Sequence, residues 1–361
     1  MIRERDFPRR AIFAGLACLA VLASACTSLE TRITRPGNRA LLDAGTLGQM
    51  ESALGIERRS FQVPDGPELF YRVVEPMDYG AEYRFTRTGD SVHFRFNLAN
   101  PPDKRTPVDP VGTAVLLHGW SMEGSSMLPW ALGLAGHGWR AVVVDLRSHG
   151  ASSHAPVGYG PREGADVAAL VAALRERGEV PGRLVLFGVS YGAVAGLYAA
   201  ALSDTGTADA VIAMSPFTNA AGGIRGMING ITTEPGLSLR SRLALAYARR
   251  RYDDARIDHA IAGAGERLGI DLAGIDVRQA AAAVEACTLL LHGTEDGFFP
   301  MESVQSLADA APRGQLVALP GESHFTAPVR MDWLVEPLAR WLEQVADARC
   351  PGFNLPPVPQ A

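Results

Sequence analysis

The chain has 361 residues, of which 47% are hydrophobic and 20% charged, with a net charge of −5. That is globular composition, with length enough for one large α/β domain and additions to it. The mild acidity gives no basis for a nucleic-acid partner.

The first residues read as a targeting segment. Met1 to Arg10 carries four Arg against two acids, and Ala11 to Ala23 is an apolar run too short to span a bilayer comfortably. Ala23-Ser24-Ala25-Cys26 follows. Ala-Ser-Ala fits a small-residue cleavage site of an ordinary secreted protein, which makes residues 1–25 a signal peptide. The same stretch resembles the bacterial lipobox, in which Cys26 is lipidated and becomes the mature N-terminus, and this reading is favoured. Thr27, rather than Asp, then resembles the sorting pattern of outer-membrane lipoproteins facing the periplasm. Arg9-Arg10 either belongs to the positive leader or marks twin-arginine export.

Residues 26–58, of mixed polarity, are expected to be a tether or loose leader before a domain spanning 59–350. From Ser60 to Asn97 the pattern is β. Phe61 to Val63, Leu69 to Val74, Tyr83 to Phe85 and Val92 to Phe96 are expected as antiparallel strands opening the sheet. Asn100 to Val111 holds four Pro and reads as a surface connection.

A strand–helix rhythm follows. Strands are expected at Thr113–Leu117, Arg140–Val144, Leu184–Phe187, Ala210–Met214, Thr288–Leu291 and Leu316–Leu319. Helices are expected at 128–138, 161–178, 191–202, 301–311 and 331–346. Continuous apolar strands alternating with helices indicate a mostly parallel sheet covered on both faces. Residues 217–285 break the rhythm and are expected to form a helical cap inserted between two core strands. Within them, Arg249-Arg250-Arg251 is either a solvated helix face or a contact for acidic substrates or anionic lipid. Residues 351–361 are expected as a loose Pro-rich tail. Cys287 and Cys350 either pair or remain buried thiols, since spacing does not fix disulfide geometry.

Candidate chemistry centres on Gly188-Val189-Ser190-Tyr191-Gly192, between an apolar strand and an Ala-rich helix. A sharp turn there lifts Ser190 above the carboxyl end of the sheet. A serine needs a base, and His324 in Gly321-Glu322-Ser323-His324 follows the last strand. The acid is expected after the preceding strand, in His292-Gly293-Thr294-Glu295-Asp296, with Asp296 chosen over Glu295. His118 and His292 read as structural, orienting loops, and His149 as packing a turn. The expected oxyanion donors are the backbone N–H groups of Tyr191 and Trp120.

His118-Gly119-Trp120, Asp145-x-Arg147-x-His149-Gly150, Gly188-x-Ser190-x-Gly192, His292-Gly293-x-x-Asp296 and Gly321-x-x-His324 together resemble the α/β-hydrolase superfamily, over roughly residues 110–347. The resemblance runs to its lysophospholipase, esterase and prolyl-aminopeptidase branch. It implies that fold and a serine hydrolase with a Ser190–His324–Asp296 triad. No Gly-Gly-Gly run stands at the first oxyanion loop, which argues against the hormone-sensitive-lipase type. A carboxyl ester is the first expected substrate, with a peptide or other amide, acyl transfer to an alcohol, or non-catalytic binding in the envelope as alternatives. No metal or organic cofactor is implied, and oligomeric state is left open.

Overall fold

The computed structural model describes residues 28–40, 42–88, 91–202, 208–231, 253–345 and 349–359. The expected signal peptide at residues 1–25, the expected lipidation site Cys26 and Arg249–Arg251 lie outside the described residues.

Among the described residues, eight strands form one sheet. They are β1 (Glu57–Gln62), β2 (Glu68–Val74), β5 (Gly112–Leu117), β6 (Trp139–Val144), β7 (Arg183–Val189), β8 (Ala210–Met214), β9 (Cys287–Gly293) and β10 (Gly314–Leu319). Their order across the sheet is β1-β2-β6-β5-β7-β8-β9-β10. β1 pairs antiparallel with β2 and β2 with β6, whereas every pairing from β6 to β10 is parallel. This is the expected α/β-hydrolase architecture, and each predicted core strand lies within its observed one.

Alternate residues of each strand enter opposite cores. Val115, Leu117, Val142 and Val144 pack on one face, and Ala114, Leu116, Ala141 and Val143 on the other. The first face is covered by α4 (Pro161–Glu176), α5 (Tyr191–Ala200) and α9 (Met301–Ala310). α3 (Leu128–Ala135) and α10 (Met331–Gln344) cover the second. Local chemistry sets the helix starts. In α4, Pro161 stands at the first turn and the Glu163 carboxylate accepts the N–H groups of Gly158 and Gly160, at 2.8 and 2.9 Å.

Between β8 and β9 the described residues hold α6 (Ala220–Ile231), α7 (Asp254–Leu268) and α8 (Val277–Ala282). Asp253 caps α7 by accepting the Arg256 N–H at 2.9 Å.

Three expectations change. First, β3 (Ala81–Thr88) and β4 (Ser91–Leu98) form a separate two-stranded hairpin rather than opening the sheet. Their alternation half-buries one face, with β3 packed against α3 and α10: Tyr83 donates its hydroxyl hydrogen bond to Pro129 O at 2.7 Å. Second, the leader is no loose tether. It forms α1 (Leu29–Thr34) and α2 (Ala44–Leu54), which bury Ile33, Leu47 and Leu54. Within α2, buried Glu51 pairs with buried Arg72 at 2.5 Å, and Arg72 reaches Asp145 at 3.1 Å. Third, the Pro-rich end is fastened. Cys350 is disulfide-bonded to Cys287 of β9. Pro351 O and Pro356 O accept the indole N–H groups of Trp341 and Trp333 at 2.8 and 2.9 Å. Proline gives up its N–H but keeps a carbonyl, so a proline run still offers acceptors.

Candidate active site

Ser190 stands between the last residue of β7 and the first of α5, at φ 52° and ψ −110°. A non-glycine residue there is strained, and the strain persists because the neighbours leave no alternative. A Cβ on Gly188 would lie 2.2 Å from Gly192 O, and one on Gly192 would lie 2.3 Å from Leu117 O. The two glycines therefore permit the tight passage from strand to helix. The Ser190 N–H donates to Met214 O at 2.7 Å, and Ser215 N–H to Leu291 O at 2.8 Å. Successive strand ends are thereby locked in step.

His324 lies between Ser190 and Asp296. Its Nδ1 is 2.8 Å from Asp296 Oδ2 and its Nε2 is 3.1 Å from Ser190 Oγ. With the carboxylate accepting the Nδ1 proton, Nε2 is left to accept the serine hydroxyl's. The other carboxylate oxygen, Oδ1, accepts the N–H groups of Phe298 and Phe299 at 2.8 and 3.0 Å. These bonds fix Asp296 toward the imidazole, whereas Glu295 is exposed. Burial alone would raise the Asp296 carboxyl, but His324, His292 and the Phe299 N–H together hold it below its ordinary value.

The histidine loop is built against the end of β9. A Cβ on Gly293 would lie 2.1 Å from Glu322 O, and Glu295 N–H donates to that same carbonyl at 2.9 Å. The Glu322 carboxylate is buried and pairs with buried Arg330 and with Arg87 of β3, the latter at 3.1 Å. Arg87 also donates to Gly321 O at 2.8 Å. The hairpin thus grips the loop that carries His324. Phe298 stacks on the imidazole at 4.6 Å between ring centroids, and Phe299 meets it edge-on at 5.0 Å. Arg87, Glu322, Arg330 and Phe298 are site residues to which motif reading assigned no role. Arg87 meets Glu322 across 235 positions and Phe298 meets His324 from another loop, so no local pattern marks them.

The loop after β5 sits beside the serine. A Cβ on Gly119 would lie 3.8 Å from Ser190 Cβ and 3.7 Å from Val189 O. Trp120 is half-buried, stacked on Tyr159 at 5.0 Å and edge-on to Tyr191 at 5.0 Å. His118 is wholly buried; its Nδ1 donates to Gly119 O at 2.9 Å and its Nε2 accepts Leu146 N–H at 3.0 Å. Burial pushes its imidazole down to about 4, so it is neutral and fixed in one tautomer. His149 is buried too and is pushed down to about 3. His292 bonds Phe299 O through Nε2 at 2.9 Å. The structural reading of these three histidines matches their surroundings.

The alpha/beta hydrolase family matches residues 114–337, more than half of the chain. The chain belongs to the alpha/beta hydrolase family. No curated protein sequence matches it. Among solved structures, an esterase from Pyrococcus furiosus is similar at 16% identity and TM-score 0.56, over 86% of this chain and 97% of that one. An esterase from Exiguobacterium antarcticum is similar at 15% identity and TM-score 0.52, over 80% of this chain and all 100% of that one. An enol-lactonase from Burkholderia xenovorans is similar at 18% identity and TM-score 0.50, over 79% and 100%. At these identities the likeness is one of fold.

Proposed function

We infer that this alpha/beta hydrolase is an exported serine hydrolase that cleaves carboxyl esters through an acyl-enzyme. The observation that carries the reading is the position of His324, within hydrogen-bond reach of both Ser190 Oγ and Asp296 Oδ2. Ser190 Oγ attacks the acyl carbonyl while His324 Nε2 takes its proton. Asp296 holds the tautomer and stabilises the imidazolium that forms. Backbone N–H groups of Tyr191 and Trp120 receive the oxyanion, each donor contributing on the order of 10²–10³ in rate. His324 then gives the proton to the departing alcohol. A water, deprotonated by the same imidazole, hydrolyses the acyl-enzyme and regenerates Ser190.

A small ester fits this machinery because an alkoxy group, protonated by His324 as it departs, is a better leaving group than the amine of an amide. The esterases and the lactonase that share the fold are in keeping with that choice. Helices α6 to α8, between β8 and β9, would form the cap over the site. The Cys287–Cys350 disulfide favours an oxidising compartment, in line with the export segment. We assign lipidation to Cys26, which would anchor the protein in the bacterial envelope, at the outer membrane facing the periplasm.

Turnover of p-nitrophenyl esters set against aminopeptidase p-nitroanilides tests the substrate class. Ester hydrolysis that vanishes in Ser190→Ala supports the reading; amide cleavage with no ester turnover would overturn it. Mass analysis of the mature N-terminus tests lipidation, the expected product being a diacylglyceryl-modified Cys26.

A further inference from the structure

We propose that residues 33–39, close behind the export segment, are a strap that positions the oxyanion loop, with Asn38 and Tyr159 as its positioning residues. The proposal rests on the hydrolase reading and adds to the catalytic site a segment outside the matched family region.

Three ties join the strap to that loop. The Tyr159 hydroxyl donates to Ile33 O at 2.8 Å, while its ring stacks on Trp120 and stands edge-on to Tyr191 at 5.6 Å. The Asn38 amide grips Gly150 twice, its Oδ1 accepting Gly150 N–H at 3.0 Å and its Nδ2 donating to Gly150 O at 3.4 Å. Gly150 follows His149, whose ring meets Trp120 at 5.6 Å and Tyr191 at 5.8 Å. Finally, the Arg39 N–H donates to Ser121 O at 3.0 Å, and Arg39 bridges to Met122 in parallel. The residues of both expected oxyanion donors, Trp120 and Tyr191, are thus backed by groups that the strap holds.

The loop needs such support. Ser121 at φ 60° and Tyr159 at φ 53° are non-glycine residues in the left-handed region, which persist only where the surroundings over-determine them. From the sheet side, His118 fixes the loop through Leu146. From the other side the fixing groups come from the strap. The strap is itself held, because Ile33 is buried and Glu30, in the same helix, pairs with Arg267 of α7 at 2.6 Å. Oxyanion stabilisation depends on donors already in place, and a displacement of about 1 Å costs on the order of 100-fold in rate.

The test uses the mature protein with Asn38→Ala, Tyr159→Phe and both together. Tyr159→Phe keeps the ring stack and deletes only the bond to Ile33. We expect the double variant to lose about tenfold or more in kcat with KM within about twofold, since the lost interaction acts in the transition state. Its affinity for a trifluoromethyl ketone, whose adduct with Ser190 places an oxyanion in the same hole, should fall in parallel. A folded double variant with wild-type kcat and wild-type ketone affinity would overturn the strap. So would a fall in kcat with no fall in ketone affinity, because a general loss of structure does not act through the hole. If the double variant is too unstable to assay, Tyr159→Phe alone decides by the same two measurements. A wild type without hydrolase activity would instead sink the parent reading, and the strap's role with it.

Discussion

Arg87 and Glu322 meet at 3.1 Å although 235 positions separate them in the chain. Glu322 stands two residues before His324, and Arg87 belongs to the β3–β4 hairpin outside the central sheet. The hairpin is therefore tied to the loop that presents the imidazole. Glu322 is buried with Arg330, which also bonds Asp332 at 3.0 Å and lies over the Phe85 ring at 4.4 Å. Glu322→Ala would leave the buried Arg330 guanidinium without its main partner, and we expect a loss of about 3 kcal/mol in urea unfolding. Arg87→Ala removes a partly exposed, solvent-screened partner and should cost less than about 1 kcal/mol. Equal losses from the two would contradict this division.

Asp296, not its neighbour, should be the acid that matters. Asp296→Asn preserves size but offers His324 the wrong partner, and kcat is expected to fall by on the order of 10⁴. Glu295→Gln, on the exposed side of the same turn, should keep wild-type kcat. Steady-state kinetics on one ester checks both, with circular dichroism confirming the fold.

The disulfide closes a long loop, its cysteines 63 positions apart. Constraining a loop of that length in the unfolded chain stabilises by about 4 kcal/mol in the chain-entropy view. We expect Cys287→Ser with Cys350→Ser to lower stability by roughly that amount, measured by denaturant unfolding. Reductant should destabilise the parent protein and leave the double variant unchanged.

Acid should weaken the fold before the carboxylates titrate. Buried His118 and His149 are held down to about 4 and about 3, while an unfolded imidazole takes up its proton near 6.5. Below that pH the unfolded chain binds protons that the folded chain refuses. Stability is therefore complete above about pH 6.5 and is lost as pH falls toward 4, by on the order of 3 kcal/mol from His118 alone. Asp296, held low, adds its own loss only at more acid pH, as the proton reaches the folded carboxyl. Urea midpoints at pH 7, 5.5 and 4.5 check this; a flat profile across that range would contradict it.

The parallel core was legible because Val115, Leu117, Val142 and Val144 stand in continuous apolar runs, and only strands buried on both faces tolerate such runs. Ser190, Asp296 and His324 could be singled out as candidates because each sits at a strand end in a short motif, and the structure brings the three side chains within hydrogen-bond reach of one another. What escaped was held by non-local pairing. The alternation of Val92 to Phe96 says that one face turns inward, not that it packs with β3 outside the central sheet. Glu51 reads as a surface charge until Arg72 and Asp145 are brought beside it. Pro351 and Pro356 read as loose chain because a composition rule does not see the two tryptophan N–H groups their carbonyls receive.

In the proposed mechanism His324 makes the Ser190 hydroxyl nucleophilic. The most direct measurement is reaction of the purified protein with a fluorophosphonate probe, followed by mass mapping of the modified peptide. A single adduct on Ser190, lost in Ser190→Ala and strongly slowed in folded His324→Ala, is the predicted result. A folded wild-type protein that stays unlabelled, or one labelled equally well without the imidazole, would contradict it.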